Sequence, residues 1–397
     1  MKLVVIGFGQ CGSRLADEFA RLDKKARHHR GIEIVTGAFA VNTDAADLSG
    51  LTTIGSDYQH RILIGGRKTG GHGVGKINEL GAAVAREDAD KVIDAIRTAR
   101  RFYETDAFLL IGSSGGGTGS GCLPVMTQHI KDRYLDKPVY NLVVLPFAHE
   151  ESTEGRAIFN SATCLKSVGA VADAVFLVDN QRYVRKDFSL RNNLSQINSL
   201  IVEPFFGLLC AGEETKKKWV GAKTLDAGDI IQTLVGWTVI GHGEEHLPLF
   251  RFLSFTRDFR KKGIEIHKGL QAMDEALSEL SLKCSPASSG RAMYLISAPA
   301  KEMNMDLVKE LGDYLKDIAP EAIIRNGDYP REKRSLDITL VLSELSEVEK
   351  VKQYYSHSIE FKRDTKKRQA EVENKLKELE EFSGDVPSLL YHDGHHS

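Results

Sequence analysis

Apolar and polar positions along this chain follow two different periods, and the switches between them mark out its elements. Short apolar runs at Lys2–Ile6, Gly37–Val41, Arg61–Ile64, Ala107–Ile111, Tyr140–Leu145 and Ala174–Val178 each predict a strand buried on both faces. Between them lie segments such as Ile77–Thr98, rich in helix formers with apolar residues at i, i+4 spacing. This alternation predicts an α/β fold with a parallel sheet covered by helices on both faces. Ligands in such sheets bind outside the carboxyl ends of the strands. Further on, Leu190, Leu194, Ile197, Ile201, Phe205 and Leu208 recur at helical spacing and predict a long helix from Ser189 to about Ala211. Pro204 inside it removes a hydrogen bond and predicts a bend, or an earlier end to the helix.

A second, smaller α/β domain is predicted from about 220 to 345. Its strands are Met293–Ser297 and Leu336–Leu342, its helix Asp306–Ile318, with a short strand at Glu321–Ile324 and a turn at Ala287–Gly290. Ser346 to about Phe382 is densely charged and helix-prone, which reads as a solvated face or as a partner-binding surface. Ser383–Ser397 reads as a loose tail. His392, His395 and His396 are more simply a frayed end than a metal site, and Val386–Tyr391 is a candidate recruiting motif. The expected organisation is therefore 1–188, a nucleotide-type domain; 189–219, a connecting helix and linker; 220–345, the second domain; and 346–397, charged helix and tail.

Composition narrows this picture modestly. A chain of 397 residues, 42% hydrophobic and 27% charged, suits two domains with sizeable cores. A net charge of −2 predicts no general attraction to nucleic acid or to an anionic membrane. The five cysteines, Cys11, Cys122, Cys164, Cys210 and Cys284, are odd in number and dispersed, which predicts reduced thiols and a cytoplasmic setting. Gly7 interrupts the N-terminal apolar run, so no signal peptide is expected, and no uninterrupted apolar stretch reaches membrane-spanning length.

Chemistry concentrates in Gly112–Gly121, which holds six glycines and four hydroxyls in ten residues between a strand and the helical run Pro124–Lys131. Glycines let backbone approach a ligand, and successive N–H groups opening onto a helix form a cradle for phosphate oxygens. A second glycine pattern, Gly7-Phe8-Gly9-Gln10-Cys11-Gly12, satisfies GxGxxG after a strand and raises a dinucleotide oxidoreductase as a rival. That rival expects a ribose-binding acid about 20 residues on, whereas Asp44 stands 32 residues after Gly12. It also leaves the second cradle unexplained. Gly70–Lys76 nearly satisfies GxxxxGK[ST], but Ile77 offers no hydroxyl. Taken alone, Asn42-Thr43-Asp44 reads as a helix cap before Ala45–Leu48, and Asp226 and Asp229 at i, i+3 read as the cap of another.

Read in order, these loops resemble the tubulin and FtsZ superfamily of assembling GTPases. Gly115-Gly116-Gly117-Thr118-Gly119-Ser120-Gly121 resembles its signature loop. Gly9-Gln10-Cys11-Gly12 is similar to the first nucleotide loop in tubulin wording, and Asn42-Thr43-Asp44 to the second in FtsZ wording. Gly70–Gly75 takes the third position, Glu154-Gly155-Arg156 resembles the ribose segment, Asp179–Arg182 the base loop, and Thr224–Asp229 the acidic loop. The mixed wording resembles the CetZ group of tubulin-like proteins from archaea.

The resemblance implies a Rossmann-like GTPase domain, a long central helix and a smaller α/β C-terminal domain. It implies GTP and GDP as ligands, with Mg2+ held by Asp44 through water, and Asn42 and Thr43 nearby. Gln10 and Cys11 backbone groups would meet the α- and β-phosphates, the Gly115–Ser120 loop would wrap them, and Gly71 and Gly73 would approach the γ-phosphate. Glu154 and Arg156 would meet the ribose. Asn180 and Asn198 would read the guanine edge, since an amide offers both donor and acceptor. Leu194 stands where relatives carry a stacking aromatic. Asp226 and Asp229 would act on the neighbouring subunit's nucleotide, with Thr224 replacing a common asparagine. The implied function is a GTPase that polymerises with itself head to tail, in control of cell shape, with possible further partners at the C-terminal helix or tail. The alternatives are an FtsZ-like division protein and a nucleotide-gated filament with little turnover.

Overall fold

The structure, a computed structural model, describes residues 1–184, 190–247 and 258–383. The tail beyond Ser383, with its histidines and the 386–391 motif, lies outside the described residues. The first six strands are β1 (Leu3–Phe8), β2 (Val35–Asn42), β3 (Arg61–Leu63), β4 (Ala107–Ser113), β5 (Val139–Leu145) and β6 (Ala174–Asp179). All pair in parallel. They are followed by β7 (Gly236–His246), β8 (Ser289–Ala298), β9 (Ile323–Pro330) and β10 (Ser335–Leu345). The order is β3-β2-β1-β4-β5-β6-β7-β10-β8-β9. β7 pairs in parallel with β6 at its start and antiparallel with β10 along its length, so it joins the two halves.

The helices are α1 (Gly9–Arg30), α2 (Ala45–Ser49), α3 (Gly66–Thr69), α4 (Asn78–Glu87), α5 (Ala89–Arg97), α6 (Thr118–Arg133) and α7 (Ala148–Thr153). They continue with α8 (Gly155–Val171), α9 (Leu190–Ala211), α10 (Ala227–Thr233), α11 (Asp258–Ser278), α12 (Met305–Ile318) and α13 (Glu349–Ser383). Successive strand residues point to opposite faces, so each central strand feeds two cores. Val4, Ile6, Phe108 and Leu110 pack with Val84, Met126 and Leu165 of α4, α6 and α8. Leu3, Val5, Leu109 and Ile111 pack with Leu15 and Phe19 of α1 and Ile201 and Phe205 of α9. Both cores run on into the second half, through Tyr294 and Leu340 on one side and Leu295 and Val341 on the other.

The expected parallel sheet, central helix and smaller α/β half are all present. Local boundaries differ for identifiable reasons. α6 begins at Thr118, inside the glycine loop, with Pro124 contained in it. α4 begins at Asn78 because Lys76 adopts φ 60°. β9 starts at Ile323 and runs to Pro330, far beyond the expected Glu321–Ile324. The turn at Ala287–Gly290 is one 3-10 turn leading directly into β8. β7 and α11 carried no strand or helix expectation. By length and composition, Leu194–Ala211 of α9 is apolar enough to cross a membrane, but half of it is buried in this fold.

Candidate functional site

Two parallel neighbours, β1 and β4, end side by side, with Phe8 in register with Gly112. A helix starts from each: α1 immediately and α6 after the glycine loop. Neither helix has a side-chain cap, and neither carries an acid in its first turn. A helix N-terminus leaves N–H groups unpaired and concentrates positive dipole. Two adjacent uncapped starts therefore form a site for a multiply charged anion, with no lysine required.

Close backbone packing brings them together. A Cβ on Gly12 would lie 2.1 Å from the Ile111 carbonyl oxygen, and one on Gly117 would lie 2.7 Å from Val74 and 2.8 Å from Ile77 N. Gly115 and Gly116 meet no such contact under 3.0 Å. Gly117 is thus required for the approach of a neighbouring loop, whereas Gly115 and Gly116 leave a face open to a ligand. Gly119 and Ser120 continue into the first turn of α6, where Ser120 Oγ bonds back to the Gly116 carbonyl.

The second and third loops are stitched to the first. The Thr43 and Thr118 hydroxyls hydrogen-bond at 2.7 Å. Gln10 Nε2 donates to Asp47 Oδ1 at 2.7 Å, and Asn42 Nδ2 donates to Asp47 Oδ2 at 3.1 Å. Asp44 caps α2: its Oδ1 accepts from Ala46 N at 2.9 Å and from Asp47 N at 3.1 Å. The capping alternative for this segment is therefore realised. Asp44 Oδ2 faces Gly73, whose added Cβ would stand 3.8 Å from it. Gly71 and Gly73 both adopt φ 81°, a left-handed backbone that suits glycine. They bond to the second loop through Ala45 N to Gly71 O and Gly73 N to Thr43 O, each at 3.0 Å.

A residue absent from the sequence reading braces this assembly. Asn160 of α8 is fully buried, and its Nδ2 donates to the carbonyls of Lys76 at 2.9 Å, Gly115 at 3.1 Å and Gly116 at 3.2 Å. Its Oδ1 is buried without a partner among the described residues. The sequence did hold a signal: Asn160 interrupts the buried stripe Ala157, Cys164, Leu165, Val168 of an amphipathic helix. Glu154 and Arg156 stand at the start of the same helix and pair with Lys76 and Glu79. Arg156 Nε is likewise buried and unpartnered among the described residues.

Cys11 lies in the first turn of α1. Desolvation pushes its thiol up to about 12, against a smaller opposing influence of Arg14, so the thiol stays protonated and the backbone is the contact it offers. Asn180 opens the 3-10 turn that follows β6, next to Asp179, which accepts from Gln181 N at 3.0 Å. Asn198 is half-buried on α9, beside Ser199, whose hydroxyl donates to Glu18 of α1 at 2.8 Å.

Asp226 and Asp229 sit elsewhere. Asp226 is the N-cap of α10, its Oδ1 accepting from Asp229 N at 2.8 Å. Asp226 is exposed, and Asp229 is half-buried, 3.4 Å from Arg325 Nε. Their position follows from neighbours. Gly212, just past the end of α9, would place a Cβ 3.6 Å from Asp226 Cα. The adjacent Glu213 pairs with the amine of Met1 at 2.7 Å, and Glu214 lies 4.0 Å from Arg30 at the far end of α1. The acids therefore occupy the strand-start end of the sheet, while the glycine loops occupy the strand-finish end. The 22 residues of α1 span about 33 Å between those ends. The structure thus brings the glycine loops, Asn42 and Asp44 together and places the two acids apart from them.

Comparison with known proteins identifies the family. Residues 2–186 match the tubulin/FtsZ family GTPase domain, and residues 187–360 match the C-terminal domain of tubulin-like CetZ. The chain is 32% identical over 384 residues to tubulin-like protein CetZ1 of Haloferax volcanii, covering 91% of this chain and 92% of the relative. It is 27% identical over 386 residues to tubulin-like protein CetZ of Pyrococcus abyssi, covering 96% and 95%. Among solved structures, GDP-bound monomeric CetZ1 of Haloferax volcanii superposes with a TM-score of 0.77 at 30% identity, covering 91% of this chain and all of that one. A GTPγS-bound protofilament of CetZ2 from the same organism gives 0.78 at 28%, covering 92% and 100%. The chain belongs to the tubulin/FtsZ family and to its CetZ group.

Proposed function

We propose that this CetZ-group protein binds GTP at the glycine loops, stacks head to tail into protofilaments, and hydrolyses GTP at each subunit contact. The observation that carries the reading is the separation just described. The anion cradle lies at one end of the parallel sheet and a solvent-accessible pair of carboxylates at the other. No rearrangement of side chains brings them together within one chain. A second copy stacked end on end does so at once, and because the contact is heterologous and does not close, it generates an open filament.

In this arrangement the N–H groups of α1 and α6, with Gly115, Gly116 and the Thr118 hydroxyl, hold the phosphates. Asn180 and Asn198 read guanine, and Glu154 and Arg156 contact the ribose once released from Lys76 and Glu79. Asp44 would hold Mg2+ through water, where the ion would neutralise phosphate charge. Asp226 and Asp229 of one subunit orient and polarise the water that attacks the next subunit's γ-phosphate. Loss of that phosphate removes contacts to Gly71 and Gly73. It weakens the joint only as far as those contacts differ between the two nucleotide states. A role in cell shape is the use that the resemblance to the CetZ group implies.

The test is phosphate release measured against protein concentration, with electron microscopy of the same samples in GTP and GDP. A site split between subunits requires the rate per subunit to climb as filaments appear. A flat rate from dilute to concentrated solution, or filaments that ignore the nucleotide, overturns the reading.

A further inference from the structure

β7 carries His242, Glu244 and His246, three metal-ligating residue types spaced two apart along a strand. Alternate strand residues share a face, so all three point away from α11, which packs on the other face against Gly241 and Gly243. β10 runs antiparallel beside β7, with Thr339 opposite His242, Asp337 opposite Glu244 and Ser335 opposite His246. Residues directly opposite stand about 4.5–5.5 Å apart at Cβ. The pairing therefore gathers an imidazole and two carboxylates into one patch. His242, Glu244 and Asp337 are half-buried, and one donor atom from each lies within 4.8 Å of the other two. A metal held by nitrogen and oxygen at about 2.0–2.2 Å spaces its ligand atoms by up to about 4.4 Å. Small side-chain rotations therefore close the set.

A cation already sits against this patch. Lys333, just before β10, places Nζ 2.6 Å from Glu244 Oε2 and 3.6 Å from Asp337 Oδ2. The Ser335 hydroxyl donates to Asp337 Oδ1 at 2.5 Å, which leaves Oδ2 to the cation, and Thr339 Oγ1 stands 3.4 Å from His242 Nδ1. Outer hydroxyls of this kind hold metal ligands in place. One ammonium offsets only one of the two carboxylate charges, whereas a divalent ion offsets both. The Lys333 side chain is 55% exposed, so it can swing into water without leaving its charge buried. An imidazole among oxygens favours Zn2+ and its transition-metal neighbours over Mg2+ or Ca2+.

We propose that His242, Glu244 and Asp337 form a site for a divalent transition-metal ion, Zn2+ above all, which displaces Lys333 and clips β7 to β10. Water completes the coordination, with His246 at the rim, its Nδ1 3.6 Å from Glu244 Oε1. The site shares no residue with the glycine loops, with Asp44 or with the acids of α10, so it is separate from nucleotide binding and does not depend on it.

The test is calorimetric titration of Zn2+ into the full-length protein, with GDP and excess Mg2+ present and thermal unfolding measured alongside. The parent protein carries His392→Gln, His395→Gln and His396→Gln, so that the tail does not compete for the ion. One ion per chain is expected, with a rise in Tm, as a ligand of the folded state requires. His242→Gln and Asp337→Asn should each weaken binding at least about tenfold and remove the rise. Lys333→Gln takes away the competing ammonium and should tighten binding several-fold, a gain that no loss of folding imitates. Binding in His242→Gln equal to that of the parent, no Zn2+ bound by the parent, or equal affinity in the parent and Lys333→Gln would each overturn the proposal.

Discussion

Asp226 carries two roles that one set of substitutions separates. As N-cap of α10 it satisfies Asp229 N through Oδ1 at 2.8 Å. Removing such a cap costs about 1 kcal/mol, whereas serine or asparagine replaces it with little loss. Unfolding entropy scales with length, so 397 residues give roughly 0.8 kcal/mol per kelvin at the midpoint, and losing the cap lowers Tm by about 1 °C. A positioned carboxylate acting on an attacking water contributes about 10²–10⁴ in rate, or roughly 3–5 kcal/mol of barrier. Stability and turnover therefore respond on very different scales. Asp226→Ser is expected to melt with the wild type and bind GTP normally, while phosphate release at equal filament mass falls at least about 100-fold. Asp226→Ala is expected to show the same kinetic loss with the small added drop in Tm. The measurement is steady-state phosphate release normalised to pelleted polymer, beside thermal unfolding of the same preparations. Wild-type release by Asp226→Ser would leave the carboxylate as a cap and nothing more, and would refute the split-site chemistry for this residue.

Asn160→Ala removes a fully buried donor shared among three carbonyls. At about 1 kcal/mol per hydrogen bond, nucleotide affinity should fall about tenfold or more and the melt should drop, and an unchanged fluorescent-GTP titration would remove Asn160 from the site. Gly121→Ala sets a Cβ 2.2 Å from the Asn78 carbonyl oxygen and 2.6 Å from Ala82 N. Forcing α4 off α6 should cost about 1–3 kcal/mol, visible as a lowered denaturation midpoint, with a wild-type midpoint counting against close helix packing there. Burial pushes the Cys11, Cys122, Cys164 and Cys210 thiols up to about 12. Alkylation of the native protein in mildly alkaline buffer should therefore be slow at the buried Cys122, Cys164 and Cys210 until denaturant is added, and rapid labelling of any of the three would contradict their burial.

The parts of this protein that were readable in sequence are those where one requirement dominates. β1, β4 and β5 are buried on both faces, so they read as apolar runs, and the segments after β1 and β4 hold glycine because backbone must approach backbone or ligand. β7 was unreadable because two requirements collide in it. Gly241 and Gly243 are there to admit α11: a Cβ on either would lie 2.0 Å from the carbonyl oxygens of Ala276 and Ala272. His242 and Glu244 are polar, so the β-branched run stops at Ile240 and no apolar alternation continues beyond it. β9 fails for a related reason, since Arg325, Asn326 and Asp328 tie it to Gln232, Lys223 and Ala222 rather than to a core. At the site, the glycine loops announced themselves, whereas Asn160 contacts only carbonyl groups and shows as a single misplaced amide.

Asn160 also shows how the cradle is connected to the rest of the molecule. It shares α8 with Phe159, its neighbour in sequence, and the two point to different partners. Asn160 holds the phosphate-side loops at Lys76, Gly115 and Gly116, while Phe159 meets Phe361 of α13. Gly155, at the head of α8, completes the seat: a Cβ there would lie 2.6 Å from the Phe361 ring. One rigid helix thus touches the nucleotide loops on one face and the C-terminal helix on another. Helices in a close-packed interior shift as units and do not bend to absorb a change locally. Any displacement of Gly115, Gly116 or Lys76 would therefore bear on α8, which packs on α6 and on α13. α8 is in this way an element that meets both the glycine loops and α13, with Asn160 and Gly155 among its points of contact.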